Sequence, residues 1–88
     1  MDEIIKQQIL DIAAGNPGAI NVLARMCCGL DNEAAKTLLD TLKKSSIKGS
    51  EVWIFYKDVC HEDLEKFTSS LTYYTPDGIL RLVMEAMA

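Results

Sequence analysis

The sequence predicts an all-α fold: one compact domain of five or six short helices spanning residues 1–88. Three observations carry that prediction. Apolar residues recur at helical spacing along most of the chain. Segments that stop one helix and start the next, Gly15-Asn16-Pro17 and Thr75-Pro76-Asp77, punctuate it. Finally, the one β-prone stretch, residues 51–60, has no second strand-like run to pair with. With 88 residues, 49% hydrophobic and 25% charged, the chain has the composition of a globular protein with a single modest core.

The first helix is read from Ile5, Ile9, Ile12 and Ala13, which share one face, and Gly15 ends it. Asn16 can then cap a second helix through its side chain, with Pro17 at a first position where a missing N–H costs nothing. That helix carries Ile20, Leu23, Ala24, Cys27 and Leu30 on one stripe, and Gly29 closes it. The stop and restart is short enough that the two helices should meet at a sharp angle. Asp31 or Asn32 opens a third helix whose face is Ala35, Leu38, Leu39 and Leu42. It ends around Lys44 to Ser46, where lysines suit the negative end of the helix dipole. Ile47 reads as a buried plug in a polar connection.

Residues 51–60 can be read two ways. As a strand they would alternate Val52, Ile54 and Tyr56 against Trp53 and Phe55. As a helix they place Val52, Phe55, Tyr56, Val59 and Cys60 on one face, with Ser50 as N-cap. The helical period runs the whole length, whereas alternation fails at Lys57-Asp58, so helix is expected. A break near Cys60-His61 leads to a further helix with Leu64, Phe67 and Leu71. Thr75-Pro76-Asp77 starts the last, whose stripe is Ile79, Leu82, Val83, Ala86 and Met87. The expected core includes Ile9, Ile12, Leu23, Leu38, Leu42, Phe55, Val59, Leu64, Phe67 and Leu82.

No apolar run approaches the roughly 18 residues a membrane span needs, and Met1-Asp2-Glu3 is acidic where a signal peptide would be basic. Three cysteines, two of them adjacent at Cys27 and Cys28, argue for reduced thiols. A cytoplasmic protein is expected.

The net charge of −4 disfavours general nucleic-acid binding. Its distribution is uneven. Residues 36–57 set five lysines against Asp40 and Glu51 for +3, while the flanks carry −3 and −4. Lys43, Lys44 and Lys48 form a basic island, and with Trp53 and Tyr56 nearby they offer phosphate attraction beside stacking surfaces. The plainer reading is a solvated helix end with its aromatics inside.

Catalysis finds little footing. Cys60-His61 places a thiol beside a base, but neighbours on a helix point about 100° apart, which keeps them from bonding productively. Cys27, Cys28, Cys60 and His61 lack the spacing of a zinc site, because a vicinal pair cannot easily turn both sulfurs to one metal. Glu62, Asp63 and Glu65 read as partners of a helix start. Gly15-x-x-Gly18 is too short for a phosphate loop. No enzyme activity, cofactor, metal or small-molecule substrate is expected. Apolar residues outside the stripes remain: Trp53, Ile54, Leu10, Val22 and Met26. They suggest a patch for a partner or a second copy.

Gly15-Asn16-Pro17-Gly18-Ala19, then Ile47-Lys48-Gly49-Ser50-Glu51-Val52-Trp53 and Tyr56-Lys57-Asp58-Val59-Cys60, resemble short uncharacterised proteins of bacterial phage and mobile-element clusters. The resemblance covers about residues 15–67. It implies an accessory or interaction role in a bacterial cell and brings no activity or site with it. The expected function is therefore non-enzymatic protein–protein interaction, including self-association through the surface around Trp53. The partner-binding candidates are Trp53, Ile54, Lys43, Lys44 and Lys48. The alternative is a nucleic-acid-binding accessory protein using the basic segment 36–57.

Overall fold

In the computed structural model, which describes residues 2–88, side-chain caps set most of the helix starts. The Asp2 carboxylate accepts from the Ile4 N–H at 2.7 Å and opens α1, Glu3–Ala13. The Asn16 side chain accepts from Ala19 at 3.0 Å and opens α2, Pro17–Cys28, with Pro17 in the first position. Asp31 caps α3, Asn32–Lys44, by accepting from Ala34 at 2.8 Å. Further along, Asp63 caps α5, Leu64–Tyr73, and Thr75 caps α6, Pro76–Met87. Each such bond satisfies an amide that has no partner within its helix.

The β-prone stretch is helical, and no strand occurs among the described residues. It begins as α4, Gly49–Ile54, and continues as a π-helical turn over Phe55–Val59. The expected cap at Ser50 is corrected: the helix starts one residue earlier, with Lys48 at the cap position. There Glu51 reaches back, its carboxylate accepting from the Lys48 N–H at 3.0 Å. Gly49 makes the earlier start feasible. A Cβ on it would overlap the carbonyl oxygen of Ala13, so only glycine lets the first turn of α4 touch the last turn of α1.

The π-helical turn changes which side chains face inward. Its closing bond runs from the Cys60 N–H to the Phe55 carbonyl at 2.9 Å, a five-residue step. Cys60, expected on the same face, is fully buried, while Val59, expected in the core, lies only partly buried at its edge. Leu64 and Leu82 share that outcome. The other expected core residues, Ile9, Ile12, Leu23, Leu38, Leu42, Phe55 and Phe67, are buried. Beyond Cys60 the chain reverses through His61 and Glu62, both left-handed with φ of 54° and 60°. Two consecutive non-glycine residues there carry strain. Tyr56 offsets it: its hydroxyl donates to the Glu62 carbonyl at 3.0 Å, and its own carbonyl accepts from the Glu62 N–H at 2.8 Å.

α2 is the central helix, packed against α1, α3, α4 and α5. Its buried face is Ala19, Val22, Leu23, Met26 and Cys27, so the expected stripe is rotated. Ile20 and Ala24 sit at its edge, while Val22 and Met26, expected as surplus surface, are core. Contact on several sides widens the arc that α2 must keep apolar. α6 closes the structure against α4 and the π-helical turn, with Ile79 and Val83 inside. The aromatic centre is Phe67, whose ring lies 5.7 Å from Phe55 and 5.8 Å, edge-on, from Tyr56. Among the described residues no helix is long and apolar enough to cross a membrane.

Candidate functional site

The residues singled out from the sequence separate into two places. Trp53 belongs to a close junction rather than to an open patch. Its ring lies against Gly18 of α2, where an added Cβ would come within 2.6 Å of the indole. The indole stacks with Tyr56 at 5.8 Å, and the Lys57 ammonium sits 5.2 Å above it. Tyr56 is itself buried, its hydroxyl accepting from Arg25 at 3.4 Å. Ile54 is partly buried on the same short helix. The segment Ile47–Trp53 thus meets the α1–α2 corner twice, at Gly49 on Ala13 and at Trp53 on Gly18.

The thiols are separated in the same way. Cys27 and Cys60 are buried, Cys28 is exposed, and none is disulfide-bonded. Burial pushes the Cys27 thiol up to about 11, with its neighbour Cys28 adding to the shift. Burial likewise raises the Cys60 thiol, against the opposing effect of its contact with Ser70. A thiol held protonated is a poor nucleophile. His61 is exposed on the left-handed turn, away from the enclosed Cys60. Among the described residues no three His, Cys, Asp or Glu side chains gather where they could hold a metal ion.

Lys43 and Lys48 are brought together at a different place, on the rim of a cleft of about 290 Å³ between α1 and the end of α3 with its following connection. Ile12, Leu39 and Ile47 give it apolar surface, and all three are otherwise buried. From α1 it is lined by Gln8, Asp11 and Ala14; from the other side by Lys43, Ser46 and Lys48. Lys44 is exposed on the same helix end but does not line the cleft. The only ion pair among the described residues joins Lys36 to Asp2 at 3.8 Å, so Lys43, Lys44 and Lys48 take part in none.

The polar groups of the cleft are arranged by wall. α1 supplies acceptors. The Gln8 side-chain oxygen is buried without a hydrogen-bond partner, its amide nitrogen lying 3.5 Å from Asp40. One Asp11 oxygen accepts from Gln7 at 3.0 Å, which leaves the carboxylate further capacity. The opposite wall supplies the two ammonium donors. An unpartnered buried oxygen is uncommon in a folded chain because its lost solvation is not replaced.

Sequence reasoning found Lys43 and Lys48 by charge and Ile47 by its isolation, but missed Gln8 and Asp11. The available signal was a polar residue, Gln8, set among the buried Ile5, Ile9 and Ile12. Compared with family models, curated proteins and solved structures, the chain matches none.

Proposed function

We propose that this protein is an accessory domain for protein–protein interaction, working inside a cell where its three thiols stay reduced, and that it holds a partner segment at the α1–α3 cleft. The observation that carries this reading is the pairing of unneutralised lysines with enclosed apolar surface. Lys43 and Lys48 stand beside Ile12, Leu39 and Ile47 in a chain whose net charge is −4. Free ammonium groups favour an anionic partner and steer its approach, while apolar surface supplies affinity once water is displaced. The lysine half of the expected partner surface therefore weighs more than the Trp53 half, because Trp53 is engaged by Gly18, Tyr56 and Lys57 within the chain.

Nucleic acid would use the same lysines. It would have to do so without the stacking surfaces expected beside them, since Tyr56 is buried and Trp53 is packed against α2. The test is affinity capture from the native host with and without nuclease, comparing the wild type with Lys43→Glu/Lys48→Glu and checking helicity of both by circular dichroism. A protein retained by the wild type and lost by the folded double variant is the expected result. Retention equal in both removes the cleft from the interaction, and partners that vanish with nuclease in the wild type give the lysines to nucleic acid instead.

A further inference from the structure

α2 is apolar on more sides than its neighbours cover. Of its residues only Asn21 and Arg25 are polar, the composition of a helix enclosed all round. α1, α3, α4 and α5 pack against it, yet one long face stays open. Pro17 and Cys28 are exposed on that face, and Ile20 and Ala24 between them are only partly buried. α3 shows the contrast, since its exposed side carries Glu33, Asp40, Lys43 and Lys44.

Two open clefts run along this face and share Ile20 and Ala24. On the α1 side the edge is Leu10, 44% exposed, with Glu3 and Lys6. On the α5 side it is Leu64 and Arg25, and the cleft reaches Pro17 and Cys28. The result is an apolar face three helices wide. α2 is about 18 Å long, and each neighbouring axis lies about 8–10 Å from it. A face of that size falls at the low end of specific interfaces, below roughly 600 Å² per partner, which suits a reversible association. Charge selects the occupant. Glu3 and Lys6 are both exposed, lie one turn apart on the α1 edge, and take no part in the one ion pair among the described residues. An edge with an acid and a base one turn apart is complementary to itself reversed. In a chain of net charge −4, an edge whose charges cancel is also where two copies approach with least repulsion.

We infer that the open face of α2 joins two copies of this chain in a reversible two-fold dimer. The axis crosses α2 between Ala24 and Cys28, so the two copies of α2 run antiparallel and each α1 edge lies along its own copy. Lys6 of each chain then meets Glu3 of the other, and the small side chains of Ala24 and Cys28 let the helices approach closely. Leu10 and Ile20 lose the solvent contact they keep in the monomer. This face shares no lining residue with the α1–α3 cleft, so Lys43 and Lys48 stay open in both copies, and Trp53 lines neither of its clefts.

Sedimentation equilibrium with reductant present, from about 10 μM to about 1 mM, covers the range a small interface calls for. A monomer–dimer equilibrium is expected, and dilution of the isotope-labelled protein should shift the amide resonances of Leu10, Ile20, Ala24 and Cys28. Ala24→Glu, which sets a charge against the other copy, is expected to abolish association. Lys6→Glu turns attraction into repulsion twice over by symmetry and should weaken the dimer roughly tenfold. Adding Glu3→Lys to it restores the pairing in reverse and should recover most of that loss. These last two variants change exposed side chains alone, so they decide the matter even where Ala24→Glu does not fold. A chain that is monomeric at about 1 mM, dilution shifts confined to other faces, or a folded Ala24→Glu that still dimerises overturns the dimer. So does a Lys6→Glu loss that Glu3→Lys fails to recover.

Discussion

The last turns of α1 meet their two neighbours in opposite ways. Toward α4 there is no space: the Ala13 carbonyl touches Gly49, and the same packing continues where Trp53 covers Gly18. Toward the end of α3 there is a cleft of about 290 Å³, with a buried oxygen left unpartnered and two lysines left unpaired. The first contact is made of backbone and aromatic ring and serves the fold. The second leaves one buried oxygen without a partner, which costs stability, while its two lysines stay solvated. Exposed apolar side chains do not distinguish the two. Ile4, Tyr73, Met84 and Met87 are all more than half exposed, yet none of them lines the cleft or meets Gly18 or Gly49.

Gly49→Ala should have the largest effect on this contrast. The new methyl meets backbone rather than a flexible side chain, so the α1–α4 contact must open, at a cost of about 3 kcal/mol or more. Urea denaturation should show a large fall in midpoint, while Ser50→Ala, whose side chain caps nothing, should stay within about 0.5 kcal/mol of wild type. Trp53→Ala comes next. It empties the space between Gly18 and Tyr56 and should cost about 3 kcal/mol, the low end for a large aromatic because the ring is only partly buried. A Trp53→Ala protein as stable as wild type would return Trp53 to the list of surface candidates. The smallest effect should have the opposite sign. Gln8→Leu removes a buried unpartnered oxygen at the loss of one long hydrogen bond to Asp40, and should leave stability unchanged or raise it by up to about 1 kcal/mol. A loss of more than 1 kcal/mol would mean that Gln8 is structural, and the contrast between the two sides of α1 would blur.

These two regions also differ in how far they could be read in advance. α3 was legible almost throughout: Ala35, Leu38, Leu39 and Leu42 form its face as spacing requires, its end falls within Lys44 to Ser46, and its start, open between Asp31 and Asn32, is capped by Asp31. The start of α2 at Asn16-Pro17 was equally plain. Val59 was not. A wheel drawn at 3.6 residues per turn puts it inside, and the five-residue closure from Phe55 to Cys60 is set by tertiary packing that leaves no mark on local composition. α2 was misread by a rotation because the number of neighbours around a helix is a property of the assembled fold. The cleft was half legible. Charge pointed to Lys43 and Lys48, but their meeting with Gln8 depends on how α1 lies along α3, which neither helix's own pattern encodes.

The contact between Ala13 and Gly49 also bears on how readily the cleft could take a ligand. Ala13 stands between Ile12 and Ala14, and Gly49 directly follows Lys48; all three of those neighbours line the cleft. A backbone contact with no side chain between has little room to adjust, so both edges of the cleft are held at fixed separation before anything binds. The entropy that association must lose in ordering loops and walls is then already lost on folding. What remains to be ordered on binding is chiefly the two lysine side chains. In that sense the close contact of Ala13 with Gly49 sets the cost of using the cleft beside it.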